Sequence, residues 1–403
     1  MSLPPPTYVD DKRSFNALLD RLDDVDELAV DTEADSFFKH RERVCLIQIT
    51  ADGEDFIVDP LVGLDIEPLG EVFADPRRVK IFHDSEFDVL LLKRHHGFEF
   101  AELFDTRVAL AAMGYESLGL AAALLDQFGV KLDKTQQLSD WGRRPLTDKQ
   151  IGYARLDTHY LIELRERLEV MLDEVGRRHV MEAECDRLER LEPVDRPFEP
   201  DEYVRLKGAR TLDRSQQAVL RALFIARERM AQERNVPPFK VLAHGGLVDL
   251  ARACPKDAEG ISRAAKINSS AANRLAKPLL AAIREGLDAG PIDSMPQLPP
   301  KDGTLGFDEF DHELHDRLKT LRKKLAERDR MDLSLVFNRK TLLDLVRSGA
   351  RDREALARVE DLAAWQLEDY GADLIRVLEK FDRDRASGAL DAKPRKRRPE
   401  RRR

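Results

Sequence analysis

Four short runs of apolar and β-branched residues, all within the first 85 positions, constrain the fold of this chain more than any other feature. They lie at 28–30, 44–50, 55–58 and 79–82, and an Asp-Gly pair at 52 and 53 joins the second run to the third. Runs of this kind predict β-strands, and Asp-Gly predicts a tight hairpin. From Ser85 onward the apolar residues recur at helical spacing. We therefore expect an α/β domain whose sheet begins antiparallel and carries helices packed on it.

The chain after residue 206 shows no strand pattern, which predicts an all-helical second part. Two proline-containing stretches, at 190–203 and 289–306, look like a hinge and a semi-rigid linker. The helical segments on either side of the linker resemble each other when one is shifted by 95 residues. This indicates two copies of one small module, with chance similarity of amphipathic helices as the alternative. The predicted division is 1–205 (core about 8–175), 206–290, a linker at 291–306, 307–387 and a tail at 388–403.

Charge is distributed unevenly along the 403 residues. The formal net charge is −9, yet the last eleven residues, KPRKRRPERRR, contain eight Lys or Arg and one Glu. The acidic body, taken alone, argues against a nucleic-acid binder. The tail is predicted to be disordered; it either holds a polyanion loosely or keeps the terminus solvated.

The sequence also predicts the cellular setting. It contains no apolar run of the roughly 18 to 20 residues needed to span a membrane. The N-terminal residues lack the layout of a signal peptide. Three cysteines, Cys45, Cys185 and Cys254, are far apart and odd in number, which argues against disulfides and a cysteine-based zinc site. We expect a cytoplasmic protein that does not associate with membranes.

Two carboxylates stand where the first predicted strand should still be apolar. Asp31 and Glu33 directly follow the run 28–30, and side chains two positions apart in a strand point to the same face. Like charges so placed repel unless a cation lies between them. The alternative is solvent exposure at a fraying strand end.

Further acidic positions join this pair. Asp84 is placed to cap the helix that follows the fourth strand, and Asp88 lies one turn further among apolar residues. A long helix is predicted from Thr147, and on it Tyr153 and Asp157 share a face.

A strand and two helices thus offer a set of carboxylates and a tyrosine that suits one kind of chemistry. Four carboxylates can hold two divalent ions roughly 3.5 to 4 Å apart, which activate water and stabilise the leaving oxygen of a phosphodiester. Oxygen ligands alone favour Mg²⁺ or Mn²⁺ over zinc. A tyrosine hydroxyl can orient a water that the metal has made acidic.

Three sequence blocks carry a resemblance to a known family. DTE at 31–33, HDSEFD at 83–88 and YARLD at 153–157, in this order, resemble the DEDDy 3′→5′ exonucleases. LFDTRVA and LSDWGRRPLTDKQIGYARLDTHYL are similar to ribonuclease D, and the close similarity covers about 25–175. The helical modules look like HRDC domains, the first more convincingly. The resemblance implies a ribonuclease H-like (DnaQ-like) α/β exonuclease domain with a central mixed sheet, followed by two all-α HRDC-type modules.

The resemblance also implies the roles of the site residues. Tyr153 would orient the attacking water. In this family an Asp stands five positions after the His of the second block, which selects Asp88 over Asp84. Asp84 departs from the small or amide residue common there, so an exchange of roles between the two stays open. The metal-binding and catalytic carboxylates would be Asp31, Glu33, Asp88 and Asp157.

The activity implied is removal of nucleotides one at a time from RNA with a free 3′ end, releasing 5′-monophosphates. The resemblance points to tRNA precursors as substrates and implies no obligate protein partner. A 3′→5′ DNA exonuclease is the first alternative, because the same metal centre serves both and no motif here reads the 2′-hydroxyl. An inert nuclease fold whose helical modules only bind nucleic acid is the second. All five expected positions are intact, which counts against it.

Basic clusters in the second helical module are candidates for gripping the RNA body, and each is as well explained as a solvated helix face. The candidates are Arg322, Lys323, Lys324, Arg339, Lys340 and Arg347. Elsewhere, His83 is expected to be a neutral histidine near the sheet edge rather than a ligand. Trp141 and Tyr160 are expected to be core aromatics rather than stacking platforms.

Overall fold

The computed structural model describes residues 3–300 and 303–390, which contain one sheet and three groups of helices. The strands are β1 (Thr7–Val9), β2 (Glu27–Ala34), β3 (Val44–Ala51), β4 (Glu54–Val58), β5 (Val79–Phe82) and β6 (Leu103–Asp105). The helices between and after them are α1 (Lys12–Asp23), α2 (Pro68–Ala74), α3 (Glu86–His96), α4 (Thr106–Met113), α5 (Leu120–Phe128), α6 (Asp148–Leu156), α7 (Leu161–Glu174) and α8 (Arg178–Glu189).

The two later groups are helical throughout their described residues. The first contains α9 (Arg214–Arg234), α10 (Pro238–Val241), α11 (His244–Ala253), α12 (Ala258–Ala265) and α13 (Ser269–Asp288). The second contains α14 (Glu309–Asp329), α15 (Leu333–Val336), α16 (Arg339–Ser348), α17 (Arg353–Leu356) and α18 (Ala364–Ala386).

The sheet is mixed, with strand order β1-β4-β3-β2-β5-β6. Strands β2, β3 and β4 pair antiparallel, as predicted, whereas β1, β5 and β6 each pair parallel with a neighbour. The sequence did not indicate β1 or β6, because three residues are too few to show a period-two pattern. At the Asp-Gly turn both residues have positive φ, 47° for Asp52 and 74° for Gly53, as a two-residue hairpin of this type requires.

Two local predictions about helices are wrong. The long helix expected from Thr147 is broken: α6 ends at Leu156, and α7 begins only at Leu161. Asp84 does not cap α3; it has a φ of 69° and precedes the N-cap residue. The carboxylate of Asp105 accepts instead the backbone N–H groups of Asp84 and Ser85, at 3.0 and 2.7 Å. The start of α3 is therefore stabilised by Asp105, which is distant in sequence, and not by Asp84, which the local pattern indicated.

The two helical groups differ in how they meet the α/β part. Apolar side chains from Leu314 to Phe381 join the buried core of the sheet and its helices. Residues from Tyr203 to Ile283 form a separate core. The second group is therefore packed on the α/β part, while the first keeps its own interior. The domain limits predicted above stay a prediction.

In the described residues no helix is both long and apolar enough to cross a membrane. The basic tail predicted to be disordered lies, from residue 391 onward, outside the part of the chain that the structure describes.

Candidate active site

Asp31 and Glu33 lie on the central strand β2, beyond the point where its parallel neighbour ends. Pairing with β5 stops at Ala29, whereas pairing with β3 continues through Asp31 opposite Gln48. A bulge between Glu33 and Ala34 interrupts the ladder. One side of β2 is therefore open at the two carboxylates, and a helix can approach there.

Asp88, in the first turn of α3, occupies this opening. Its carboxylate is only 6% exposed and accepts a hydrogen bond from the hydroxyl of Thr32 on β2. Asp157 comes from the opposite direction, as the residue that ends α6. Asp31, Glu33 and Asp157 each place a carboxylate oxygen within 4.8 Å of the others. The structure thus brings the four predicted carboxylates together.

Burial and mutual repulsion raise the pKa of each of these carboxyl groups. Burial, with the charges of Asp157 and Asp88, raises the pKa of Glu33 to about 9. Burial, with the charge of Asp88, raises that of Asp157 to about 8, and burial raises that of Asp88 to about 7. The pKa of Asp31 is raised well above its usual range by burial and then by the charge of Asp88. Without a cation, the group keeps protons at neutral pH.

These residues fit a hard divalent cation. The donors are carboxylate oxygens, which Mg²⁺ and Mn²⁺ prefer, and a positive charge would offset the repulsion that raises the pKa values.

The position of Asp157 is fixed by hydrogen bonds made by its chain neighbours. Asp55, on β4, lies 2.5 Å from the Nε of Arg155 and 2.9 Å from the Nδ1 of His159. Arg155 and Asp55 are both buried. Residues on both sides of Asp157 are thus bonded to β4, and the break between α6 and α7 places Asp157 beside Asp31 and Glu33 of β2.

Tyr153 packs near Trp141, and the segment that carries Trp141 is held by hydrogen bonds from Arg144. The Tyr153 ring centroid lies 6.0 Å from that of the buried Trp141, a core aromatic as predicted. Arg144 donates to both carboxylate oxygens of Asp59, at 2.5 and 2.7 Å, and to the carbonyls of Trp141 and Cys45. Burial, and then the negative charges of the carboxylates, raise the pKa of Tyr153 above its usual range. The hydroxyl therefore stays protonated beside the carboxylates.

Comparison with known proteins identifies the family to which this arrangement of residues belongs. A 3′-5′ exonuclease family profile matches residues 6–173, and an HRDC domain profile matches 216–283 and 311–378. A ribonuclease D from Acidiphilium cryptum is 31% identical over 300 residues, which cover 74% of this chain and 76% of that protein.

The chain belongs to the ribonuclease D family.

It is a nuclease enzyme, a 3′-5′ exoribonuclease, as the sequence predicted. The Exosome complex component 10 homolog of Caenorhabditis elegans is 38% identical over 265 residues, but the chain matches only 30% of that protein's length. The crystal structure of the catalytic core of RRP6 from Trypanosoma brucei superposes with a TM-score of 0.65 at 29% identity, covering 72% of this chain and 82% of that one. The two HRDC matches begin 95 residues apart, which confirms the predicted repeat.

Next to the carboxylates of this ribonuclease D-family chain lies a cavity of about 330 Å³. Arg107, Lys134 and Gln137 line it together with the metal-binding candidates, and Phe87 lies at its edge, 47% exposed. Sequence reasoning missed these residues. Arg107 belongs to the block LFDTRVA, which carried part of the family resemblance. Its position in the cavity beside the four acids depends on how the helices pack, which the sequence alone does not show.

The other sequence candidates lie in and around this cavity. His83 contacts the hydroxyl of Thr106 through Nδ1 at 2.9 Å, and burial lowers its pKa, so the ring is neutral, as expected. Asp84 is exposed and lies 3.6 Å from the Nε of Arg107. Tyr160 is half-buried against Phe128.

Several of the basic residues proposed to grip RNA are engaged within the second HRDC region. Arg322 donates to the carbonyl of Phe337 at 3.2 Å, and the Nζ of Lys340 lies 2.7 Å from Asp361. Arg347 donates to the carbonyl of Gly303. Lys323 and Lys324 are exposed, as is Arg339. Their contact with RNA stays a prediction.

Proposed function

We propose that Asp31, Glu33, Asp88 and Asp157 hold two divalent ions, Mg²⁺ or Mn²⁺, at which this exoribonuclease cleaves. The observation that supports this most strongly is the set of carboxylate oxygens within 4.8 Å of one another on Asp31, Glu33 and Asp157. Asp88 adjoins them, bonded to Thr32 between the first two. Bound divalent ions would supply an activated water and stabilise the leaving oxygen of the phosphodiester.

The protein's own side chains prepare the reaction. Tyr153, protonated and packed on Trp141, would orient the attacking water through its hydroxyl. Arg107 and Lys134 offer positive charge in the same cavity, where the phosphates of the 3′-terminal nucleotides would lie. The carboxylates are held by a strand, a helix turn and a hydrogen-bonded break, so their geometry is set before the substrate arrives.

We infer that the substrate is RNA with a free 3′ end, with tRNA precursors as the natural class. The support is the family: several relatives that match most of the chain carry the name ribonuclease D. Cytoplasmic location and the lack of an obligate protein partner stay predictions from sequence.

The test uses the purified full-length protein with Mg²⁺ or Mn²⁺ on three labelled substrates: a tRNA precursor with a 3′ extension, plain single-stranded RNA and single-stranded DNA. We expect 5′-monophosphates from both RNAs, a shortened precursor, and no product in the presence of a chelator. Faster degradation of DNA would support the alternative of a DNA exonuclease. Activity that persists with chelator would contradict the metal site.

A further inference from the structure

Two exposed phenylalanines stand where the loop after β2 meets the first HRDC region. Phe37 is 54% exposed and Phe239 is 50% exposed. Phenylalanine is among the residues most often buried, and 6% of this chain is aromatic. Two half-exposed phenylalanine rings at one junction therefore indicate a binding surface.

Contacts between the two segments hold these rings on a common surface. The Nζ of Lys240 lies 3.7 Å from the centroid of the Phe38 ring. The Nε2 of His40 lies 2.6 Å from Glu228, and the backbone N–H of His40 donates to the side chain of Asn235 at 3.3 Å. Phe37 and Phe239 each adjoin the Phe38–Lys240 contact in sequence. The nuclease and the first HRDC region thus build this surface jointly.

The loop is fastened by hydrogen bonds where it leaves the active site. Asp35 is fully buried and accepts from Arg43 three times, through the backbone N–H and two guanidinium nitrogens, at 2.8 to 3.0 Å. Phe37 lies four positions after Glu33 on this fixed turn. The turn that carries Phe37 therefore follows directly from the strand that carries the carboxylates and is bonded to Arg43.

Uncompensated positive charge accompanies the rings. Lys39 and Arg41 form no ion pair with any described residue, whereas the nearby acids Glu228 and Asp35 are both paired. The same loop lines a groove of about 990 Å³ together with Arg94 of α3 and the exposed Arg196, and the acids Glu42, Glu192 and Asp195 also line it. Each of these acids lies within 4.0 Å of Lys93 or Arg94, so the unpaired charges among the described residues of the groove are the cations Lys39, Arg41 and Arg196. Leu90 and Arg94 of α3 line this groove, and the same helix carries Asp88, so α3 links the groove to the carboxylates.

We propose that Phe37, Phe239, Lys39, Arg41 and Lys240 form a stacking platform for the single-stranded 3′ segment of the RNA on its way to the metal site. Aromatic rings beside a basic groove are the usual means of holding single strands without sequence preference, because bases stack on the rings while cations contact the phosphates. Duplex RNA does not fit this surface, since its bases are already stacked. The proposal rests on the proposed exonuclease function and names the path of its substrate.

The experiment compares the full-length protein with a variant carrying Phe37→Leu and Phe239→Leu. Leucine keeps an apolar side chain but removes the aromatic face. Binding of a fluorescently labelled uridine oligonucleotide is measured by anisotropy with chelator present, so that hydrolysis does not intervene. We expect affinity to fall at least about tenfold, given the usual contribution of a stacked base. The variant with Phe37→Tyr and Phe239→Tyr should bind like the unmodified protein, and so should Leu287→Ala, an exposed apolar control in the first HRDC region.

The charge contribution is tested with Lys39→Gln and Arg41→Gln. The slope of log affinity against log salt concentration should become shallower by about 1.4, because each lost contact with a single strand removes about 0.7. Lys277→Gln, an exposed lysine on α13, should leave the slope unchanged.

Two outcomes would overturn the platform: unchanged affinity in the leucine variant, or an equal loss of affinity for duplex RNA. Failure of the unmodified protein to hydrolyse RNA would count against the exonuclease proposal, whereas the platform is judged from binding alone.

Discussion

At the scale of single residues, the four carboxylates that we propose as metal ligands repel one another in the metal-free protein, which lowers its stability. Asp31→Asn removes one charge from the proposed ion site, so we expect turnover to fall by several orders of magnitude. RNA binding should persist, because the other contacts remain. In chelator the variant should melt at the same temperature or higher, since repulsion is relieved. Asp126→Asn, an exposed exchange on α5, should change neither quantity. Full activity in Asp31→Asn would show that the mechanism is wrong.

The raised pKa values also predict how the metal-free protein responds to pH. Glu33, Asp157 and Asp88 have pKa values of about 9, 8 and 7 in the folded protein, above their values in an unfolded chain. Between about pH 4 and pH 9 these three carboxyl groups therefore bind more protons in the folded state than in the unfolded state. The free energy of unfolding should decrease as pH rises through this window. Urea denaturation in chelator at several pH values measures it, and added Mg²⁺ should restore stability most at the alkaline end. A free energy that rises with pH there would contradict the assignment.

Asp84 and Asp88 differ in role although only four positions separate them. Asp88→Ala should abolish activity, because its carboxylate is buried beside Thr32 within the acidic group. Asp84→Ala should keep most activity and lower the free energy of unfolding by about 1 kcal/mol, because alanine is disfavoured at the φ of 69°. Asp84→Gly removes the same charge without backbone strain and separates the two effects. The opposite ranking in hydrolysis assays would make Asp84 the metal ligand.

At the scale of secondary-structure elements, the break between α6 and α7 decides whether Asp157 reaches the site. Asp55→Ala would leave Arg155 buried without its partner, which typically costs about 3 to 5 kcal/mol. The exposed pair of Glu163 and Arg167 provides a matched control, and Glu163→Ala should cost at most about 1 kcal/mol. Equal losses in thermal or chemical denaturation would mean that the break does not depend on Asp55.

At the scale of the whole molecule, the second HRDC region is part of the body of the enzyme. The backbone N–H of Asp332 donates to the carbonyl of Ala111 at 3.2 Å, and Arg177 donates to the carbonyl of Ala112 at 2.6 Å and to that of Asp329. Apolar residues of the region share the core of the α/β part. Removing all residues after 205 would therefore expose apolar surface on the nuclease. A single substitution at the contact is a cleaner test of whether the second HRDC region is needed there.

Gly114→Ala tests this contact. A Cβ at Gly114 would lie 1.9 Å from the carbonyl oxygen of Arg330, and its φ is 82°. Gly53→Ala is a matched control, because its φ is 74° but nothing lies within 4 Å of the added carbon. We expect both variants to be destabilised by roughly 1 to 2 kcal/mol, because alanine is strained in the left-handed region, and only Gly114→Ala to release the second HRDC region to limited proteolysis. Identical proteolysis of the two variants would show that the contact is not needed.

The sequence by itself determined the central part of the fold and identified the residues that meet in the acidic group. Strands β2 to β5 were visible because alternation and turn chemistry act between near neighbours. Asp31, Glu33, Asp88, Tyr153 and Asp157 were identified from three sequence blocks and their resemblance to the DEDDy exonucleases, which selected Asp88 over Asp84. The shift of 95 residues matches the HRDC repeat.

Only the tertiary structure decided the remaining features, because each depends on groups far apart in the chain. Asp105 satisfies the start of α3 from twenty residues away, so the expected cap at Asp84 is absent. The hydrogen bonds of Asp55 stabilise the break between α6 and α7, where local periodicity predicted a continuous helix. The carbonyl of Phe337 engages Arg322, which the sequence alone left as a candidate for RNA contact. Local patterns specify which element forms, whereas long-range hydrogen bonds and core packing decide where it ends and what its side chains touch.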